Sequence, residues 1–220
     1  MEQAIADKFN SYMAKAAQNF GARFSAFSLG GQDRDAGADY LLSDSSRFAL
    51  IEFKANVTLL KTEAKKPRRE ELCRQLAGNP GMRDLHDICH YITFANDAGY
   101  VVTNIYRNEI CNKSTFPALL DSECCTPSRH MRLTAIDYSR SFFEPNSKAT
   151  LGLEEFEQYL SWVMKETSGS TAGTVSLLVY DPDDLELKIA KVSSVAEAYE
   201  WMQANLPPAP SDAPSGPGGW

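Results

Sequence analysis

One short stretch constrains this chain more than any other. Gly37-Ala38-Asp39-Tyr40-Leu41-Leu42 and Arg47-Phe48-Ala49-Leu50-Ile51-Glu52-Phe53-Lys54 read as two strands joined by the polar turn Ser43 to Ser46. The first strand opens on a carboxylate. The second carries Glu52 and Lys54 two residues apart inside an apolar run. Side chains alternate faces along a strand, so Glu52 and Lys54 share one face while Ile51 and Phe53 point into a core. A Glu inside such a run requires a partner or a metal. A solvated hairpin with surface charges is the competing reading, and the apolar flanks Phe48, Leu50, Ile51 and Phe53 weigh against it.

Two carboxylates and a lysine on one sheet face suit metal-assisted phosphodiester cleavage. A hard cation such as Mg²⁺ takes oxygen ligands, typically one or two carboxylates plus substrate phosphate and water. The cation acidifies water and offsets phosphate charge. A lysine beside the attacking water stabilises developing negative charge, or moves a proton if its pKa falls.

The arrangement resembles the PD-(D/E)XK nuclease superfamily, in which an Asp begins one strand of a hairpin and a Glu-x-Lys lies on the next. Asp39 matches the first element, and Glu52 and Lys54 the second, thirteen positions on. Ala38 stands where the name-giving Pro falls, and the resemblance rests on roughly residues 36 to 76. It implies a divalent-metal-dependent deoxyribonuclease acting in restriction, phage defence or repair. Asp39, Glu52 and the backbone carbonyl of Phe53 would then bind Mg²⁺ or Mn²⁺, and Lys54 would position or activate water. The resemblance also makes Glu2, on a leading helix, and Gln75 or Arg74, on the helix after the Glu-x-Lys strand, accessory candidates. A catalytically inactive nuclease-fold module that binds nucleic acid or a protein is the alternative. An unrelated α/β protein with an ordinary Glu52–Lys54 salt bridge is a third reading.

Glu-x-Lys occurs three times, which provides an internal control. Glu63-Ala64-Lys65 lies in a charged, non-strand segment. Glu186-Leu187-Lys188 lies in a strand-like run, but its upstream acids Asp181, Asp183 and Asp184 are too close to face it across a hairpin. Only Glu52 follows a strand that starts on an acid.

The net charge of −7 argues against a broad polyanion-coating surface. Local charge decides binding, however. Lys61, Lys65, Lys66, Arg68, Arg69 and Arg74 form a basic flank directly after the candidate site, read either as phosphate contacts for DNA or as a solvated loop and helix start. With 220 residues, 43% of them hydrophobic, one domain is expected. No apolar run approaches the ~20 residues of a membrane span, and no secretory signal is visible, so no membrane partner and a cytoplasmic setting are expected. The five cysteines follow no framework spacing and read as thiols. His86, Cys89 and His90, and Cys124, Cys125 and His130, match no common zinc pattern and read as core or surface residues.

The expected fold is α/β: a central mixed sheet flanked by helices, with a restriction-endonuclease-like core. Residues 1–206 form one domain, with the core at about 1–110 and accessory elements over 111–206. Predicted elements are a helix over 2–19 stopped by Gly21, strands at Arg23–Leu29, Ile88–Ala95, Tyr100–Tyr106 and Met131–Ile136, and helices at Arg68–Leu76 and Leu153–Lys165. Residues 107 to 130 read as irregular. A second hairpin is predicted from Val175–Tyr180 and Leu185–Val192, and a last helix from Ser194, whose Glu197 completes a capping box, to about Asn205. Residues 207–220 are Pro-, Gly- and Ser-rich and read as a disordered tail. That tail is a candidate contact for a protein partner, alongside a homodimer.

Overall fold

The computed structural model describes residues 1–29, 38–44, 46–66, 68–126, 131–168, 175–181 and 186–192, together with 200 and 204. The expected last helix apart from residues 200 and 204, the tail, the loop Gly30 to Gly37 and His130 lie outside the described residues.

A seven-stranded mixed sheet forms the centre, with helices on both faces. Helix α1 (Glu2–Asn19) leads into β1 (Ser25–Ser28), β2 (Tyr40–Ser43) and β3 (Arg47–Lys54). A 3₁₀ helix (Val57–Lys65) follows, then α2 (Arg69–Gly78), α3 (Pro80–Cys89), β4 (His90–Ala95) and β5 (Val101–Ile105). Next come the short α4 (Tyr106–Ile110), β6 (Leu133–Thr134), α5 (Ala135–Phe143), β7 (Leu151–Gly152) and α6 (Leu153–Ser168). Strands run in the order β1 to β6 across the sheet. Strand β3 pairs antiparallel with β2, parallel with β4 and, at its first residues, antiparallel with β7. A separate hairpin joins β8 (Val175–Asp181) and β9 (Glu186–Val192), as the sequence predicts. Among the described residues, no helix is long and apolar enough to cross a membrane.

The alternation of β3 divides the core. Ala49, Ile51 and Phe53 face α1 and α5 in one cluster, while Phe48 and Leu50 face α2 and α6 in the other. Phe53 meets Phe9 of α1 edge-on at 5.5 Å, and Phe48 stacks on Phe156 of α6 at 5.4 Å. Each such buried side chain stabilises the fold by about 1.5–3 kcal/mol. Strand β3 is thereby fixed on both faces, and Glu52 and Lys54 are delivered at its C-terminal end. In open α/β sheets, that end is where ligands bind.

Several expectations need correction. Residues 80 to 89 fold as α3, so the strand expected from Ile88 starts at His90. Asn79 caps α3 by accepting from the Met82 N–H, with Pro80 at the first position, a start signal outside any apolar period. The strand expected over Met131–Ile136 shrinks to Leu133–Thr134, because Thr134 accepts the Asp137 N–H and starts α5. Residues 106 to 110, expected as strand end and irregular chain, form α4. The charged, non-strand segment around Glu63 is the nine-residue 3₁₀ helix Val57–Lys65. Between β4 and β5 the turn Asn96-Asp97-Ala98-Gly99 closes at Gly99, whose φ of +81° would strain a residue with a Cβ. Tyr12, which falls at helical spacing with Ile5, Phe9 and Met13 in the sequence, is exposed rather than on the inner face of α1.

Candidate functional site

The β2–β3 ladder ends at Tyr40–Ile51, and Asp39 and Glu52 are the next residues on each strand. Here the register slips by one: the Asp39 N–H donates to the Ile51 carbonyl at 3.0 Å. Asp39 Oδ2 then accepts the Phe53 N–H at 2.7 Å, so the side chain replaces a missing ladder acceptor. This bulge turns the Asp39 carboxylate toward the end of β3.

Glu52 is fully buried and Lys54 nearly so. Lys54 Nζ lies 2.5 Å from Glu52 Oε1 and 3.3 Å from the Phe53 carbonyl. The expected ligand set of Asp39, Glu52 and the Phe53 carbonyl therefore gathers at one strand end. Glu52 Oε2 is buried without a hydrogen-bond partner.

Four further residues, Glu63, Lys66, Arg69 and Tyr106, enter this cluster. Glu63 is fully buried, with Oε1 2.9 Å from Lys54 Nζ and 3.3 Å from Lys66 Nζ. Its Oε2 accepts from the Tyr106 hydroxyl at 2.7 Å and lies 3.4 Å from Arg69 Nε. Lys66 Nζ lies 2.5 Å from Glu52 Oε1 and so sits between two carboxylates. Glu52 and Glu63 thus meet the three cations Lys54, Lys66 and Arg69, with the Asp39 carboxylate close enough to feel Lys66 and Lys54.

The Glu63-Ala64-Lys65 triplet does lie outside any strand, but the sequence reading missed the burial of Glu63. In a 3₁₀ helix, residues three apart eclipse. Val57, Leu60, Glu63 and Lys66 recur at that period, and Leu60 and Glu63 are its buried residues. The period-three series was the available signal.

The basic flank is divided. Lys61 and Lys65 are exposed on the 3₁₀ helix. Arg69 is fully buried against Glu63, so its assignment as a surface phosphate contact is corrected: its guanidinium faces the core. Arg74 pairs with Glu70 and Glu71 on α2 itself. Arg68 adopts the left-handed conformation at φ +75°, at the turn between Lys66 and Arg69. Gln75 donates to Glu71 within α2. Glu2 Oε1 accepts the Ala55 N–H at 3.4 Å, which places α1's first residue beside the end of β3.

The electrostatics separate the acids. Burial pushes Glu52 up to about 8, helped by Glu63 and Asp39 and opposed by Lys54 and Lys66. Burial also works upward on Glu63, but Lys54, Lys66 and Arg69 hold it down at about 2. Burial raises Asp39 against the pull of Lys66 and the Phe53 N–H. Lys54 is raised: burial opposes its charge, yet Glu52 and Glu63 outweigh it. Lys54 is therefore held as an ammonium ion, a donor rather than a proton acceptor.

Among the described residues, no three His, Cys, Asp or Glu side chains form a preformed metal cage. The donors at the end of β3 nevertheless suit a hard cation: two carboxylates and a carbonyl, with one buried carboxylate oxygen unpartnered.

The other clusters have different roles. His86 Nδ1 and His90 Nδ1 lie 2.6 and 2.8 Å from the Tyr159 hydroxyl, and the Arg107 N–H donates to His86 Nε2. An accepting Nε2 puts the His86 proton on Nδ1, which donates to Tyr159; Tyr159 then donates to His90 Nδ1. Burial, with His90 and Arg107, holds His86 well below its usual range. The expectation that all five cysteines are thiols is corrected: Cys73 and Cys111 form a disulfide, with Cα atoms 5.3 Å apart. Their 38-residue separation gives no sequence signal. Cys89, Cys124 and Cys125 are thiols.

Compared with protein-family models, curated proteins and solved structures, the chain matches none.

Proposed function

We propose that this chain is a divalent-metal-dependent nuclease hydrolysing phosphodiester bonds of DNA, with Asp39, Glu52 and Lys54 at its active site and a restriction-endonuclease-like core. The observation that carries the reading is the meeting of these residues at the end of β3 with Glu52 Oε2 buried and unpartnered. Asp39, Glu52 and the Phe53 carbonyl would hold Mg²⁺ or Mn²⁺. When bound, the ion supplies Lewis-acid polarisation of a phosphoryl oxygen and acidifies water.

Within this reading, the chain's own groups divide the work. Lys54, kept charged by Glu52 and Glu63, donates to the oxygen that gains negative charge. Glu63, anionic and gripped by Arg69 and Tyr106, holds Lys54 in place. Lys66 lies on the partly exposed side of the cluster, its side chain 25% exposed, and would have to leave Glu52 Oε1 for that oxygen to hold a divalent ion. Exposed Lys61 and Lys65 lie on the adjoining helix, where a phosphate backbone can reach them.

The pairing of Glu52 and Glu63 with Lys54, Lys66 and Arg69 favours a second reading: a nuclease-fold module with a closed ion-pair network that binds a partner without cutting. Incubation with plasmid and linear DNA, with and without Mg²⁺ or Mn²⁺, separates the two. The nuclease reading expects cleavage abolished by EDTA and lowered at least about a hundredfold in Asp39→Asn and Lys54→Ala. Cleavage that survives EDTA or Lys54→Ala removes the mechanism. Failure to cleave either DNA with either metal favours the binding module.

A further inference from the structure

Four of the five cysteines line one cavity of about 90 Å³ at the edge of the core, Cys73, Cys111, Cys124 and Cys125, beside Arg83 and Arg107. Both disulfide-bonded residues are about 1% exposed, whereas Cys124 and Cys125 are partly exposed. The Cys125 N–H donates to the Cys111 carbonyl at 2.6 Å. That bond sets the Cys125 backbone against that of Cys111, and both residues line the same cavity. Arg107 Nη1 lies 2.9 Å from Cys125 Sγ, and Asp87 fixes the same guanidinium at 2.5 Å. A thiolate on Cys125 therefore meets a prepositioned cation in a charge-assisted hydrogen bond.

From this geometry we infer that Cys125 is a thiol-exchange site that rearranges the Cys73–Cys111 disulfide. The Cys125 thiolate attacks Cys111 Sγ. A Cys111–Cys125 bond forms and the Cys73–Cys111 bond breaks. The electron pair leaves on Cys73 Sγ, which takes up the proton that Cys125 released. No oxidant or reductant is consumed.

The disulfide's position gives the exchange a consequence. Arg69 lies one helical turn before Cys73 on α2, and Tyr106 begins α4, the helix that Cys111 follows. Arg69 and Tyr106 are the groups that hold Glu63 Oε2. The Cys73–Cys111 bond thus staples together the two elements that grip Glu63, and exchange releases that staple. This consequence, though not the exchange, rests on the nuclease reading: cleavage by the two disulfide forms should differ about tenfold to a hundredfold, as when groups supporting a site are disturbed.

The test uses the full chain, purified without reductant and held in glutathione buffers of graded ratio. Samples are quenched with N-ethylmaleimide in denaturant, digested and mapped by tandem mass spectrometry. Wild type should yield both Cys73–Cys111 and Cys111–Cys125 peptides. Cys125→Ser, checked for unchanged circular dichroism, should yield only the first. Absence of a Cys111–Cys125 peptide at every ratio, or a Cys111–Cys124 peptide in its place, overturns the assignment. Peptide mapping needs no activity, so exchange without DNA cleavage refutes the nuclease reading alone, and cleavage without exchange refutes the switch alone.

Discussion

Replacing Glu63 with glutamine removes the one anion that Lys54, Lys66 and Arg69 share, and leaves its shape nearly unchanged. The side chains of Lys54 and Arg69 are 4% and 0% exposed, so water cannot compensate either of them. Removing one partner of a buried pair costs about 3–5 kcal/mol. A second route gives a similar figure. Glu63 is held at about 2 in the fold, against ~4.3 in an unfolded chain. At ~1.4 kcal/mol per pH unit, that contributes on the order of 3 kcal/mol. A depressed carboxylate contributes fully above its unfolded value and loses the contribution as pH falls through its folded value. The difference between wild type and Glu63→Gln is therefore complete at pH 7 and shrinks below about pH 4. With a urea slope of about 2 kcal/mol per molar, the midpoint at pH 7 should fall by roughly 1.5–2.5 M. Glu71→Gln, which alters only a partly exposed pair, should stay within about 0.5 kcal/mol. Urea unfolding followed by circular dichroism at pH 7 and pH 3 measures both. A loss below about 1 kcal/mol at pH 7, or one that persists unchanged at pH 3, refutes the account of Glu63 as the buried counter-ion.

Glu52, pushed up to about 8, has the opposite sign: the fold holds its proton more tightly than the unfolded chain, so its cost grows as pH rises from about 4.5 through 8. Glu52→Gln should gain stability relative to wild type across that window in thermal melts, and a flat difference contradicts the shift. Mn²⁺ should stabilise wild type more at pH 8 than at pH 5, because binding displaces that proton, and should do so little in Glu52→Gln; equal thermal shifts at both pH values refute it. Tyr159→Phe deprives two buried histidine nitrogens of their common partner, at a cost of about 1–3 kcal/mol in urea unfolding; an unchanged midpoint refutes the hydrogen-bond chain from His86 to His90.

The β2–β3 hairpin was legible because period two survives burial: Ile51 and Phe53 take one face, Glu52 and Lys54 the other. The main helices and strands followed from the same periodicities, whereas the mixed sheet was what the family resemblance implied. Helices α3 and α5 were hidden because single capping residues, Asn79 and Thr134, start them inside segments that also read as strand or loop. Glu63 was hidden for a different reason. Its ridge repeats every three residues, and its partners Arg69 and Tyr106 are 6 and 43 positions away. That period-three ridge is the one local sign of its burial, since Lys54, Arg69 and Tyr106 come from other elements. The Cys73–Cys111 disulfide is long-range in the same sense.

The central claim is that Asp39 and Glu52 form a cation site with Lys54 beside it. Anomalous diffraction from crystals soaked in Mn²⁺ at pH 8 tests it most directly. The account predicts a peak about 2.0–2.5 Å from carboxylate oxygens of both Asp39 and Glu52, with Lys66 Nζ withdrawn from Glu52 Oε1. Saturating Mn²⁺ that leaves the Lys66–Glu52 contact intact, and no peak between the two carboxylates, would contradict it.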